Sequence, residues 1–326
     1  MKRTFIMLLC ISLTISVYSF DNDTLKVNNG LGFSIKIEGV YSDIFITNIN
    51  NQNAYGAGQL TITSVNLGIY YKGFGINYSP PFLASSGTDY YTDNYSDYAG
   101  FQTFYYANWW GVDIYSQKFN GYFVGDEDML EYRPDWELSE DGFHWAQEMK
   151  SKNQSINIYG KILGKQKLSD YFFQPTLTRK SKVGLFGLVS LDKQNVYDTE
   201  GLFIPEAELD YPELTDGFDY NQISASAGLG ASGTLFIKNF YFSTALAVGY
   251  TYSKIANSWS TGNFNGYYFD WDLLNLKVFT GLQAKMVQFE LGYVNDFCSG
   301  NINDNYELQY SSTFVYAKLS VRFPTK

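Results

Sequence analysis

From Phe240 to Tyr252 the side chains sort by parity. Phe240, Phe242, Leu246, Val248, Tyr250 and Tyr252 share one set with Thr244, while Tyr241, Ser243, Ala245, Ala247, Gly249 and Thr251 form the other. A period of two is that of a β-strand with an apolar and a small or polar face. The same split separates Val287, Phe289, Leu291 and Tyr293 from Gln288, Glu290 and Gly292. It recurs in Leu31, Phe33, Ile35 and Ile37 against Ser34, Lys36 and Glu38, and in Leu274, Leu276, Val278 and Leu282 against Asn275, Lys277 and Gln283. Alternation alone fits two folds: a soluble sandwich with the apolar face inward, or a membrane barrel with it outward.

The connections separate the two. Tight links at Tyr71-Lys72-Gly73, Lys238-Asn239 and Lys285-Met286 alternate with long polar stretches, Pro80 to Tyr98, Asn120 to Lys152, Ser253 to Asp270 and Cys298 to Ser311. Short turns on one rim and long loops on the other describe a transmembrane antiparallel up-and-down β-barrel, with periplasmic turns and extracellular loops. The final run resembles the terminal strand signal of outer-membrane assembly: Val315, Ala317, Leu319, Val321 and Phe323 alternate with Tyr316, Lys318, Ser320 and Arg322, although Pro324-Thr325-Lys326 follow the aromatic. About thirteen strand candidates are present, whereas single-chain bacterial barrels have even numbers. The suspect region is Ile156 to Leu191, where Pro175 interrupts Tyr171 to Thr178 and cannot donate to a ladder. The expectation is therefore twelve strands, with fourteen as the alternative.

Lys2-Arg3, the apolar run Phe5 to Val17 and Val17-Tyr18-Ser19 follow the order of a secretory signal, which predicts cleavage after Ser19 and a single barrel domain over 20–326. The apolar run is shorter than the ~20 residues of a spanning helix. Cys10 leaves with that signal, and the lone Cys298 cannot form an intramolecular disulfide. With 29 Tyr, 26 Phe and 6 Trp, yet a mean hydropathy of -0.21, the composition suits aromatic girdles and alternating strands. A formal net charge of -10 argues against a nucleic-acid partner. The expected location is the cell outer membrane, with membrane lipid, lipopolysaccharide and the assembly machinery as partners.

Catalytic chemistry is scarce. The single histidine, His144, falls in a predicted loop with no sign of a serine held beside it, and one histidine excludes a multi-histidine metal site. Acidic runs from Asp126 to Asp141 and from Glu200 to Asp219 lack the spacing of an EF-hand loop and read as solvated surface. The expectation is a non-enzyme without cofactor. More informative are the charged residues on polar strand faces: Lys36, Glu38, Lys277, Lys285, Glu290, Lys318 and Arg322 should point into the lumen. Closure of first strand on last brings Lys36 and Glu38 near Lys318 and Arg322. Such a cluster either sets ion preference in a porin-like channel or fills a narrow barrel. Small inward residues at Ser224, Ser226, Gly228 and Gly230 favour filling. A separate reading assigns the aromatics Tyr90, Tyr91, Trp109, Trp110, Tyr267 and Tyr268 to loops that grip a glycan or lipid by stacking.

Four short motifs, Leu67 to Ile76, Gln117 to Phe123, Arg133-Pro134-Asp135 and Tyr171-Phe172-Phe173-Gln174 before Arg179-Lys180, occur in an order that resembles a family of exported Bacteroidota proteins, presumed outer-membrane barrels of no known activity. The resemblance spans roughly the middle half of the chain. It implies location and fold, and no catalytic or binding residue.

Overall fold

A computed structural model describes residues 30–48, 54–58, 62–86, 97–124, 144–164, 181–198, 218–259, 262–284, 286–301 and 306–323. These form fourteen strands: β1 (Leu31–Asn48), β2 (Ala54–Gly58), β3 (Ile62–Tyr71), β4 (Phe74–Ser79), β5 (Ala84–Ser86), β6 (Asp97–Tyr106), β7 (Trp110–Val124), β8 (His144–Gly164), β9 (Lys182–Asp198), β10 (Phe218–Ile237), β11 (Phe240–Trp259), β12 (Gly262–Ala284), β13 (Val287–Asn301) and β14 (Tyr306–Phe323). Twelve of them pair antiparallel with their neighbours, and β1 pairs with both β14 and β3, so the sheet closes into a barrel. The two short strands are broken extensions. β2 continues β3 along β1, and β5 resumes the line of β4 after Pro80 and Pro81, which cannot donate to the ladder.

Twelve is the expected barrel number. Ile156–Ile162 and Val183–Leu191 lie in β8 and β9, which pair directly, so no strand is inserted between them. Tyr171 to Thr178 lies outside the described residues.

Side-chain direction decides what kind of barrel this is. On β14 the outward positions Val315, Ala317, Leu319, Val321 and Phe323 are apolar, while Lys318 and Ser320 between them are buried inside. On β1, Leu31, Phe33, Ile35 and Ile37 point out at 40–57% exposure, while Ser34 and Glu38 point in. A soluble sandwich would bury these isoleucines and solvate the glutamate. The inverse arrangement places the outer surface in lipid. The nine positions Val315 to Phe323, at ~3.4 Å each and tilted by ~40°, rise about 23 Å, close to the ~25 Å apolar band of such barrels.

Higher on the same strands the polarity changes. Outward residues become Asp43 on β1, Lys118 on β7, Lys152 on β8, Lys193 on β9 and Glu307 on β14. Inward residues become apolar: Val40, Ile44, Ile62, Phe119, Met149, Val196, Ile255 and Leu308 are all at most 1% exposed. The barrel thus emerges from lipid as a collar built like a soluble β-protein, polar outside and apolar inside. At the top, Gly121 with φ +75° sits at a β7 bulge, and beyond it Phe123 and Val124 pair with Gly58 and Ala57 of β2. The ring there runs β1–β2–β7 and onward, bypassing β3, β4 and β6, so the barrel narrows to ten strands.

This collar corrects two expectations. Ser253 to Asp270 and Cys298 to Ser311 are largely strand, because β11 and β12 are separated only at 260–261 and β13 and β14 only at 302–305. Cys298 accordingly lies within β13, paired to Tyr310. The rims are also less cleanly sorted than predicted. Lys72 (φ +47°) and Gly73 (φ +84°) make the expected two-residue hairpin turn, and Lys238 (φ +55°) turns β10 into β11. Yet the connection from Gly164 to Lys182 leaves the same rim and is long.

Candidate functional site in the barrel lumen

The lumen is where sequence-predicted charges converge. Lys36 and Glu38 form an ion pair on β1, and Lys318 pairs with Glu290 across β13 and β14. Both glutamates are 1% exposed, so each is held by donors as well as by its lysine. Glu290 Oε2 accepts hydrogen bonds from Tyr241 Oη (2.6 Å) and Gln288 Nε2 (3.2 Å), and Oε1 accepts one from Tyr316 Oη (3.1 Å). Glu38 Oε1 accepts from Ser79 Oγ at 2.7 Å, which in turn accepts from Asn66 Nδ2 at 2.8 Å. Lys36 and Lys318 stand directly opposite each other in the β1–β14 register. Their repulsion is relieved by the two glutamates and by the Tyr316 ring, with the ammonium groups 5.1 Å and 5.9 Å from its centre. Arg322 lies two inward positions further along β14, opposite Gly32. Lys285 is outside the described residues.

A second chain of hydrogen bonds circles the other wall. Ser34 bonds Tyr70, Tyr70 Oη donates to Asn77 Oδ1 (3.2 Å), Asn77 to Gln102 (3.0 Å) and Gln102 to Asp113 (2.8 Å), so four adjoining strands and β1 are tied inside the barrel. Tyr106 Oη donates to the other oxygen of Asp113 at 3.3 Å. Beside this chain the rings of Phe104, Tyr106, Tyr159 and Phe186 pack with Leu188, Ala245 and Ala247. Consecutive ring centres are 5.5–6.2 Å apart. Space for Phe104, Phe186 and Tyr316 comes from glycines directly paired with them on the neighbouring strand. A Cβ on Gly75 would overlap the Phe104 ring, one on Gly230 the Phe186 ring, and one on Gly292 the Tyr316 ring. Of the small inward residues, Gly230 thus makes room for the Phe186 ring beside it, whereas Ser224 and Ser226 line open space.

That space is small. A cavity of ≈ 120 Å³ lies among Lys36, Glu38, Asp113, Lys277, Asp296 and Lys318, and one of ≈ 60 Å³ adjoins it through Tyr115, Asn157, Asn275 and Asp296. Lys277, 9% exposed, exerts its charge on both Asp113 and Asp296. Together the cavities hold a handful of waters. Asp113, Asp192 and Asp296 escaped the sequence reading. Their parity was available, since Asp113 lies between the outward Val112 and Ile114, and Asp296 continues the Gln288, Glu290, Gly292 set. Among the described residues no group of three His, Cys, Asp or Glu side chains could hold a metal ion.

The aromatic candidates fare differently. Tyr267 and Tyr268 belong to β12 rather than to a loop, and the Tyr267 ring stacks on Tyr252 of β11 at 6.2 Å and 19°. The next pair down, Tyr250 and Phe269, is parallel at 5.2 Å. These are cross-strand ladders on the outer face. Trp109 and Trp110 flank the tight β6–β7 turn at the opposite rim, where Tyr105 packs on Trp110 at 5.3 Å. His144 is the first residue of β8, not a loop residue, because the collar extends β8 beyond the apolar band. Tyr90, Tyr91 and both acidic runs up to Asp216 lie outside the described residues.

No family model matches the chain, and no curated protein does. Several solved structures align over most of its length. The outer membrane protease OmpT of Escherichia coli aligns with 90% of this chain and 97% of its own, at 8% identity and a TM-score of 0.43. The Bordetella autotransporter BrkA β-domain aligns with 90% and 100% at 12% identity and TM-score 0.36, and the Pseudomonas putida toluene transporter TodX with 91% and 91% at 9% and 0.31. The named activities differ from one another, and none is carried over at such scores.

Proposed function

We propose that this chain is an outer-membrane barrel with a filled, non-conducting lumen, a structural surface protein rather than an open channel. Export would use residues 1–19 as the signal, with the tight-turn rim and both ends of the barrel on the periplasmic side. The observation that carries this reading is the interior itself. The buried Glu290–Lys318 pair with Tyr241 and Tyr316, the ring cluster around Phe186 and the apolar collar around Ile44 and Phe119 occupy successive heights. Among the described residues, the charges along this path are paired or hydrogen-bonded around two small cavities of ≈ 120 and ≈ 60 Å³, rather than lining a wide aqueous channel. The reading assigns the chain no catalytic step.

The test is conductance of the refolded protein across a planar bilayer, beside a Lys318→Glu, Arg322→Glu variant. Silence from a heat-modifiable, folded barrel is the expected result. Discrete steps whose ion preference shifts in the variant would overturn the proposal and make the charged cluster a selectivity filter.

A further inference from the structure

The chain is acidic overall, yet its outer face carries a basic stripe just above the apolar band. Lys118 of β7 lies directly opposite Lys152 of β8, and Lys150 is the next outward residue on β8. Lys193 of β9 pairs with Gln154, two positions from Lys152, and Lys254 of β11 pairs with Ile223, which pairs with Lys193. Lys118, Lys152, Lys193 and Lys254 are exposed, and among the described residues none of the four forms an ion pair. The same wall carries Asp97 on β6, diagonal to Lys118 across the β6–β7 pairing and within reach of its charge, and Asp219 on β10. Like charges placed directly opposite destabilise a sheet. At Lys118 and Lys152 the repulsion is offset from one side only, by Asp97, and an anion between the two ammonium groups would relieve it.

Beneath each lysine the same strand turns apolar: Ile114 under Lys118, Ile156 under Lys152, Leu191 under Lys193 and Tyr252 under Lys254, all at least 40% exposed. The anion is therefore one whose acyl chains lie on this band. From β7 to β11 the stripe spans four strand spacings, about 19 Å, which is wider than a single phosphodiester. We propose that this stripe binds the phosphates of a diphosphorylated, multi-acyl glycolipid, the lipid A end of lipopolysaccharide, in the leaflet beside the collar. The site rests on the membrane placement proposed above, and on neither a filled nor an open lumen.

The test uses the full chain refolded in phosphatidylcholine vesicles doped with diphosphorylated lipid A or, separately, with phosphatidylglycerol. Lipid retained after exchange into detergent is measured for the wild type and for a Lys118→Gln/Lys152→Gln/Lys193→Gln variant. The expected result is lipid A retention that falls with salt and drops at least ~5-fold in the variant, the loss of about one lysine's membrane-surface attraction. Heat-modifiable migration reports that the variant is folded, and the single Lys152→Gln change serves if the triple does not fold. Equal retention by wild type and variant, or equal retention of phosphatidylglycerol, overturns the assignment. Failure of the wild type to insert into any vesicle overturns the membrane placement as well.

Discussion

Replacing Glu290 by alanine is the sharpest probe of the lumen. The substitution leaves Lys318, 6% exposed, as a buried cation without its carboxylate, and removes the acceptor shared by Tyr241, Tyr316 and Gln288. Removing one partner of a buried pair costs about 3–5 kcal/mol, or roughly two to four decades in the unfolding constant. Replacing both partners, as Glu290→Met with Lys318→Met, should recover most of that loss, because an apolar filling carries no stranded charge. The assay is urea unfolding of the vesicle-embedded barrel, followed by tryptophan fluorescence and extrapolated to zero denaturant. A Glu290→Ala cost under about 1 kcal/mol, or a double variant as unstable as the single, would contradict a buried, mutually dependent ion pair. The first result would mean that water reaches Lys318 and that the lumen is wet there, and the second that the stranded donors Tyr241, Tyr316 and Gln288 carry the loss rather than the buried charge.

Two further substitutions test the walls. Leu319→Arg places a charge midway along the outward run Val315 to Phe323 and should destabilise the vesicle-embedded barrel by ~2–4 kcal/mol, measured by the same unfolding assay; a loss near zero would mean that this face does not meet hydrocarbon. Gly230→Val drives a side chain into the Phe186 ring and should cost ~1–3 kcal/mol. Adding Phe186→Leu should restore most of it, and a Gly230→Val variant as stable as wild type would show that the ring does not lie against β10.

Much of this barrel is legible in parity. Since a strand alternates strictly, the residue types in Leu31 to Glu38, Phe240 to Tyr252, Val287 to Tyr293 and Val315 to Arg322 already divide the wall into two faces and place Lys36, Glu38, Glu290 and Lys318 together on one of them. The tight turn at Lys72-Gly73 is similarly local, readable from a glycine that takes positive φ. The collar was not legible. Beyond the lipid boundary the outward face turns polar, so Ser253 to Asp270 carries no apolar stripe and reads as loop, although its inward Ile255 is fully buried.

By itself the sequence determined the alternation, the antiparallel strands and the set of charges that share a face, because each depends only on neighbours along the chain. Only the tertiary structure decided where polarity inverted, that β8 pairs with β9, and the register that sets Lys36 directly opposite Lys318 across the closing seam. Those outcomes depend on closure. A barrel brings its first and last strands together and turns every inward side chain toward one shared volume, and whether that volume is a pore or a packed interior is a property of all twelve walls at once.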